Sequence, residues 1–316
     1  MNKAENNNSS VWSRQSVFLL TAIFCGCLWG SAHSCVKGGY QLFHVEAGDV
    51  ASQLLFAGVR FTLAGVLVIL FGSLLQKKLI VPQKKDVRGI VHLAVWQTII
   101  QYFFFYVGLA HASAVRSSII NGTQTFMTIL LAAFAFHYEK LTARKVIGCI
   151  LGFAGVVLIE TLGQPVELGF VWNGEGFILM TCFSAAMASC LIKRYGQRSD
   201  PVLLSGYQFM LGGSVLTIVA LCAGGHLKVT RPISIVLILY MAFISSAAYT
   251  LWGLLLKYNP VSKVSMFTFV TPVAGVIISS IVLNEGSLFN IYTIGALILI
   301  CIGILVVFWN GNNDSA

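Results

Sequence analysis

The sequence has little charge, and no Asp or Glu lies near the middle of any of its long apolar runs. Only 10% of its 316 residues are Asp, Glu, Lys or Arg, whereas a soluble domain carries roughly 25%. Mean hydropathy is +0.84, and 57% of the residues are apolar. These values exclude a soluble globular domain. The apolar runs, about 20 residues each, are long enough to cross a bilayer as helices. Their continuity excludes the alternating pattern of a membrane β-barrel.

Motifs for ATP hydrolysis and for catalysis are also missing. The sequence has no Gly-x-x-x-x-Gly-Lys-Ser/Thr loop, so ATP-driven pumping is not expected. No nucleophile with an acid/base pair stands at a predicted membrane surface, which disfavours a membrane-embedded enzyme that acts on lipid. All eight cysteines fall inside apolar runs and lack the spacing of metal sites. We therefore expect no enzyme activity, no metal and no cofactor.

Ten apolar runs predict an all-α integral membrane protein with ten transmembrane helices. They lie near residues 17–38, 50–75, 89–109, 114–136, 142–160, 174–193, 201–222, 232–256, 261–283 and 289–309. With the N-terminus inside, 15 of the 20 Lys and Arg residues fall on the cytoplasmic side, as the positive-inside rule requires. Both termini are then cytoplasmic, in a multi-pass protein of the plasma (cell or inner) membrane. The net charge of +9 is thus a topology signal, and we expect no nucleic-acid binding.

The second half of the chain repeats the first. Five residues of the second run recur 148 positions later: Leu55, Gly58, Phe61, Leu63 and Gly65 return as Leu203, Gly206, Phe209, Leu211 and Gly213. A shift of 146 carries Val115, Thr125 and Glu139 onto Val261, Thr271 and Glu285. Because five spans is an odd number, the second copy must cross the bilayer in the opposite sense. Inverted repeats of this kind are typical of secondary transporters, with the substrate site near the midplane between the halves.

The repeat defines the domain organisation. Residues 1–13 are polar and Asn/Ser-rich, which predicts a disordered cytoplasmic tail. Residues 14–160 form the first five-helix unit and residues 174–310 the second, joined by an acidic linker at 161–173.

Arg60 is the charged residue nearest to the middle of a span. It lies about ten residues into the second run, where insertion of an arginine costs roughly 2.5–3.5 kcal/mol. The equivalent residue in the second half is Gln208, which keeps the hydrogen-bonding capacity without the charge. Two roles stay open: Arg60 ties together backbone carbonyls and helix ends, or it contacts the substrate.

Other polar and aromatic side chains fall at helical spacing within single spans, which predicts an apolar pocket with a few orienting groups. The alternative for each is ordinary packing, and for His33 a hydrogen-bonded position in the core. Asn121 belongs to a polar stripe on the fourth span, and Thr271 precedes Pro272, which frees a backbone carbonyl on the ninth. The predicted substrate-binding residues are Trp29, His33, Arg60, Gln101, Tyr102, Asn121, Tyr249, Trp252 and Thr271.

The lack of a mid-span carboxylate bears on the substrate. A proton-driven exporter of cations normally needs a buried acid that exchanges proton for substrate. Strongly cationic drugs are therefore poor candidates, and neutral, zwitterionic or weakly anionic solutes are favoured. Proton coupling and simple facilitation both stay open.

With these residues in view, the chain resembles the drug/metabolite transporter superfamily, specifically its ten-helix EamA-type exporters. The resemblance covers about 17–309 and depends on motifs that occur in order in both halves. They are Trp29-Gly30, Arg60-Phe61, Gly-Leu-Ala-x-Ala-Ser-Ala at 108–114, Glu139, Gly148 and Gly155, then the sequence Lys-Tyr-Asn-Pro-Val at 257–261, Pro272, Glu285 and Gly295. Phe126 stands where the family often has a proline, and Tyr138-Glu139-Lys140 replaces its usual Gly-Glu-Arg.

The resemblance implies a central cavity lined mainly by helices one, three, four, six, eight and nine. It also implies metabolite transport at the plasma membrane, often amino-acid export. We accordingly expect a secondary-active or facilitative transporter of small amino acids or related zwitterionic solutes that works by alternating access, as a monomer or a homodimer. The alternatives are a multidrug exporter of hydrophobic compounds and a receptor or assembly subunit that transports nothing.

Overall fold

A computed structural model describes residues 11–46, 48–112, 114–161, 170–283 and 291–308, apart from the side chains at 33, 34, 37, 114, 115 and 279–283. Every regular element in these ranges is helical. The helices are α1 (Gln15–Leu42), α2 (Val50–Leu75), α3 (Lys84–Leu93, Ala94–Ile100 and Gln101–His111), α4 (Ala114–Leu130 and Leu131–Ala135), α5 (Ala143–Thr161), α6 (Trp172–Gly176 and Phe177–Gly196), α7 (Pro201–Cys222), α8 (Pro232–Tyr258), α9 (Val261–Ser265, Met266–Phe269 and Val270–Leu283) and α10 (Ile291–Phe308). The predicted all-α membrane fold is confirmed.

Nine of these ten helices are long and apolar enough to cross a membrane, counting only the described residues. The exception is α5, whose 19 residues include Arg144, Lys145 and Glu160 near its two ends. Because those charges lie at the ends, the apolar centre of α5 matches the other spans. Ten crossings, and the cytoplasmic position of both termini, stay predictions.

Helices α2 and α7 form the tightest pair, and glycines at equivalent positions make it possible. A Cβ atom on Gly65 would lie 2.6 Å from the Gly206 carbonyl oxygen, and one on Gly58 would lie 3.0 Å from that of Gly213. Residue numbers rise along α2 as they fall along α7, so the two helices run antiparallel. Gly58 is the repeat equivalent of Gly206, and Gly65 that of Gly213. The contact of Gly65 with Gly206 is therefore equivalent, under the repeat, to the contact of Gly213 with Gly58.

Helices α5 and α10 pack in the same manner. A Cβ on Gly148 would lie 2.7 Å from the carbonyl oxygen of Gly303, and one on Gly155 would lie 2.9 Å from that of Ala296. Around these pairs, α1 packs against α8 and α9, while α6 packs against α3 and α4. In the repeat, α1 is equivalent to α6, α8 to α3 and α9 to α4. The contacts of α1 are therefore equivalent to those of α6. An inverted repeat places equivalent helices antiparallel to each other and gives the two halves equivalent contacts, as observed.

Within the described ranges, four turns depart from the α-helical pattern. Wide π-helical turns occur at Ala94–Ile100 in α3, at Leu131–Ala135 in α4 and at the start of α6 (Trp172–Gly176), and a tight 3₁₀ turn occurs at Met266–Phe269 in α9. The turn in α9 directly precedes Pro272, as expected of a proline that leaves a carbonyl without its helical donor. Helix α4 stays α-helical through Phe126, where the family often has a proline.

Glu139 connects the α4–α5 loop to the second half. Its carboxylate lies 3.0 Å from the Lys145 ammonium, and the Ser262 backbone N–H donates to it at 3.1 Å. The Ser262 hydroxyl donates to the same carboxylate. Because α9 begins at Val261, the acid sits at a helix N-terminus, where negative charge is favoured. The equivalent acid, Glu285, lies outside the described residues.

The N-terminal region continues into the helical bundle. Residues 1–10 of the predicted disordered tail lie outside the described residues, but Trp12 does not. Its carbonyl accepts a hydrogen bond from the Asn259 amide at 3.2 Å, and its ring packs against the main apolar core. Most of the predicted linker, 162–169, also lies outside the described residues.

Candidate functional site

The centre of the site is an aromatic cluster between the two halves. Trp29 of α1 packs edge-on against Tyr249 and Trp252 of α8, with ring centroids 5.3 and 4.9 Å apart. Tyr249 and Trp252 are three residues apart on one helix, so both rings face α1. Trp252 is buried and Trp29 half-buried. The indole N–H of Trp29 is buried and finds no hydrogen-bond acceptor among the side chains and backbone that the structure describes.

A pair of tyrosine hydroxyls extends the cluster to α3. The hydroxyls of Tyr102 and Tyr249 lie 2.6 Å apart, which joins α3 of the first half to α8 of the second. The side-chain amide of Gln101 interacts with the same Tyr249 hydroxyl. The Tyr102 ring then meets Phe61 of α2 at 4.3 Å, and Phe61 stacks on Phe209 of α7 at 5.2 Å. The cluster thus draws on five helices.

Arg60 supplies the positive charge. Its side chain is 6% exposed, and the guanidinium carbon lies 4.4 Å from the ring centre of Phe61 and 5.7 Å from that of Tyr102. The side chains of Tyr40, Tyr106 and Tyr249 also lie near the guanidinium. Its Nε–H is buried, and no atom in the described part of the chain accepts a hydrogen bond from it. Among the described residues, no carboxylate pairs with it.

The equivalent position in α7 has a polar partner on α3. The Gln208 amide oxygen accepts a hydrogen bond from the Thr98 hydroxyl at 2.8 Å, and both side chains are fully buried. Thr98 lies in the π-helical turn of α3, and the Ser184 hydroxyl donates to the Trp96 carbonyl of the same turn at 2.5 Å. π-Turns are frequent at functional sites, and this one connects α3 to Gln208, the repeat equivalent of Arg60.

Asn121 and Thr271 lie outside the aromatic cluster. The Asn121 amide oxygen accepts a weak bond from the Cys182 thiol at 3.5 Å, which joins α4 to α6. Thr271 is half-buried on α9, and no contact links it to the cluster in the described part of the chain. The side chain of His33 is not among those described. The structure therefore brings together Trp29, Arg60, Gln101, Tyr102, Tyr249 and Trp252 of the predicted residues.

Four residues of the cluster were not predicted as site residues. They are Tyr40, Tyr106, Phe61 and Phe209, of which Phe61 and Phe209 entered the sequence analysis only through the repeat and the Arg60-Phe61 motif. The sequence could have identified two of them, since Phe61 and Phe209 lie 148 positions apart, directly after Arg60 and Gln208. The cluster combines apolar walls with one cation and several hydroxyl and N–H groups, the composition of a small-molecule site.

Comparison with known proteins agrees with this architecture. The sequence matches the EamA-like transporter family over residues 17–161 and again over 172–309. A WAT1-related chloroplastic protein of Arabidopsis thaliana is 24% identical over 98% of this chain and 74% of its own length. The uncharacterized transporter YvbV of Bacillus subtilis is 26% identical over 73% of this chain and 75% of its own. An uncharacterized transporter of Synechocystis, sll0355, is 27% identical over 84% and 82%.

A solved crystal structure shows the same fold. It covers 97% of this chain and 98% of its own, with a TM-score of 0.76 and 16% sequence identity. The family matches each half of the chain separately, and the relatives align across both halves. The chain therefore belongs to the EamA-like transporter family and is a membrane transporter.

Proposed function

We propose that the chain is a secondary-active or facilitative exporter of small amino acids or related zwitterionic metabolites. The observation that carries this proposal is the cluster from Trp29 through Tyr249 and Tyr102 to Arg60, built from helices of both halves. A substrate there would touch both repeats at once. Movement of one half against the other would then open the site to one side of the membrane or the other.

The helix contacts support alternating access. Equivalent helices pack on each other in antiparallel pairs, so exchanging the conformations of the halves generates the same structure facing the opposite side. Because of the glycine contacts, α2 packs closely on α7 and α5 on α10. We propose that the two halves move relative to each other about these helix pairs. We further propose that both termini are cytoplasmic and that the protein resides in the cell membrane.

The test is a counterflow screen with the purified protein in liposomes. In vesicles loaded with an unlabelled solute, a carrier exchanges it for the labelled solute outside, and protein-free vesicles give the passive uptake to be subtracted. We expect exchange of small amino acids or related zwitterions, and none of tetraphenylphosphonium, a hydrophobic cation. Exchange of the cation alone would identify a multidrug exporter, and no exchange of any solute would refute transport of either class.

Asn121 provides an internal comparison in the same assay. It lies on α4 between the halves but outside the aromatic cluster. We propose that it lines the path of the substrate, so Asn121→Ala should reduce counterflow while the protein elutes from gel filtration as the wild type does. Unchanged counterflow would remove Asn121 from the site.

A further inference from the structure

We propose that the site selects its substrate by a single carboxylate, for which Arg60 is the counter-ion, and does not require an amino group. This inference rests on the proposed function, because it takes the aromatic cluster to be the substrate site. It replaces the substrate class of zwitterions with that of monocarboxylates, with or without an amino group.

The first argument is the charge of Arg60. A guanidinium in a protein interior is costly unless a negative charge pairs with it. Arg60 is 6% exposed and stacks on Phe61, yet each carboxylate in the described part of the chain lies elsewhere. Glu139 pairs with Lys145, Glu175 with Arg116, and Glu160 accepts from Ser118. A substrate anion would supply the counter-charge.

The second argument is the character of the unpartnered atoms. Among the described residues, the Nε–H of Arg60 and the indole N–H of Trp29 are buried without acceptors. Neither atom can accept a hydrogen bond, so only a ligand with acceptor atoms satisfies them. The two residues flank the hydroxyl-bonded pair of Tyr102 and Tyr249. Carboxylate oxygens are acceptors only, and they form the stronger charge-assisted bonds with a guanidinium.

The third argument concerns valency. Arg60 contributes one positive charge to the described cluster, which a carboxylate neutralises. A phosphate ester with nearly two negative charges would leave a net charge buried in a low-dielectric site. A substrate ammonium would find no acid among the described members of the cluster, only the faces of aromatic rings. Cation–π contact is a weaker requirement than an ion pair, so the amino group is optional.

The test compares four compounds on each of two carbon skeletons. For leucine these are leucine, 4-methylpentanoate, leucinamide and 3-methylbutylamine. For phenylalanine they are phenylalanine, 3-phenylpropanoate, phenylalaninamide and phenethylamine. Thermal unfolding of the purified wild-type protein gives each dissociation constant from its concentration dependence. We expect both acids of at least one skeleton to raise the melting temperature, and its amide and amine to bind on the order of 10- to 150-fold more weakly.

Variants at Arg60 test whether this residue is responsible for the preference for acids. Arg60→Gln introduces the residue found at the equivalent position of the second half, Gln208, and should weaken acid binding by a similar factor. Arg60→Lys keeps the charge and should retain part of the affinity. Arg231→Gln, at an exposed arginine before α8, is the matched control and should bind acids as the wild type does.

Three results would overturn the inference: an amide or amine that stabilises the wild type as well as its acid, no stabilisation by any acid, or unchanged acid binding in Arg60→Gln. The first two need no variant, so they hold even if Arg60→Gln does not fold. Counterflow separates this inference from the proposed function. Exchange of solutes without a carboxylate would support transport but contradict the carboxylate requirement. Binding of acids without any exchange would support the carboxylate requirement but contradict transport.

Discussion

Phe61 of α2 and Phe209 of α7 stack with their ring centroids 5.2 Å apart and their planes 15° from parallel. The two residues are 148 positions apart and occupy equivalent places in the two halves. A residue that contacts its own equivalent lies on the symmetry axis that relates the halves. The axis therefore passes through the aromatic cluster, next to Arg60 and Tyr102. This position places the candidate site at the interface between the halves.

The first prediction concerns the α2–α7 contact. Gly65→Ala should lower the free energy of unfolding by about 1–3 kcal/mol, the usual cost of overpacking, because its Cβ would lie 2.6 Å from the backbone of Gly206 and Met210. Its equivalent, Gly213→Ala, should cost a similar amount, since its Cβ would lie 2.5 Å from the Thr62 nitrogen. Thermal unfolding in detergent measures both.

Gly38→Ala is the matched control, because none of the described atoms lies within 4 Å of a Cβ at this position on α1. Alanine is the better helix former, so this change should leave stability equal or slightly raised. Equal stability of all three variants would mean that α2 and α7 do not pack at this distance.

The second prediction concerns the hydroxyl pair that joins the halves. Tyr249→Phe and Tyr102→Phe should each cost about 0.5–1.5 kcal/mol, the net value of one hydrogen bond. The double variant should cost less than the sum of the two, because both remove the same 2.6 Å bond. Tyr240→Phe, at an exposed position on the same helix as Tyr249, should have no effect. Strict additivity in thermal unfolding would show that the hydroxyls do not interact.

The third prediction concerns pH and the start of α2. Asp49 caps this helix by accepting from the Ser52 N–H at 2.9 Å. Hydrogen bonds from the Ser52 side chain and backbone lower the pKa of the Asp49 carboxyl. Because the folded pKa lies below the unfolded value near 3.9, the contribution is complete at neutral pH. It is lost as the pH falls from about 4 through the lower folded pKa.

Melting temperatures of Asp49 variants between pH 3 and 7 provide the measurement. Asp49→Ala should lose about 1 kcal/mol at pH 7 and converge on the wild type in acid. Asp49→Asn also caps a helix but does not ionise, so its loss should be smaller. A difference between Asp49→Ala and the wild type that is as large at pH 3 as at pH 7 would contradict this account of the cap.

The fourth prediction concerns the ion pair of Glu139 and Lys145, whose side chains are 9% and 7% exposed. Glu139→Gln should destabilise the protein by about 3 kcal/mol, because it leaves a buried ammonium without its counter-charge. Adding Lys145→Met should recover much of this loss. Lys140→Met, at an exposed neighbouring lysine, should change little. If the double variant unfolds no later than Glu139→Gln, the charge of Lys145 is not the source of the cost.

The sequence was sufficient for the fold because apolar length and charge placement determine membrane helices. Its run near 50–75 corresponds to Val50–Leu75 and its run near 201–222 to Pro201–Cys222. The run near 89–109 was predicted too short, since α3 extends from Lys84 to His111. Charged side chains at Lys84, Lys85 and Arg88 concealed its first turn. The π-turn at Ala94–Ile100 contains no Gly or Pro from which it could be predicted, and the Ser184 hydroxyl of another helix donates to a carbonyl within it.

The candidate site was only partly predictable for a similar reason. Helical spacing shows which residues share a face, so Tyr249 was correctly grouped with Trp252. It does not show which faces of different helices meet. Asn121 was therefore grouped with the aromatic residues, whereas its described contact is with Cys182 on α6. Phe209 was left out, whereas its ring lies 5.2 Å from that of Tyr249. The roles of Asn121, His33 and Thr271 in substrate binding stay predictions.

The most direct test of the central claim, that the aromatic cluster between the halves is the substrate site, is counterflow by Trp252→Ala. Trp252 packs on Trp29 at 4.9 Å in the cluster, whereas Trp172, 75% exposed at the start of α6, provides the matched control Trp172→Ala. We expect Trp252→Ala to lose at least tenfold in exchange rate, as the loss of about 1.4 kcal/mol of binding would produce, with Trp172→Ala unchanged. Wild-type exchange by a folded Trp252→Ala protein would contradict the claim.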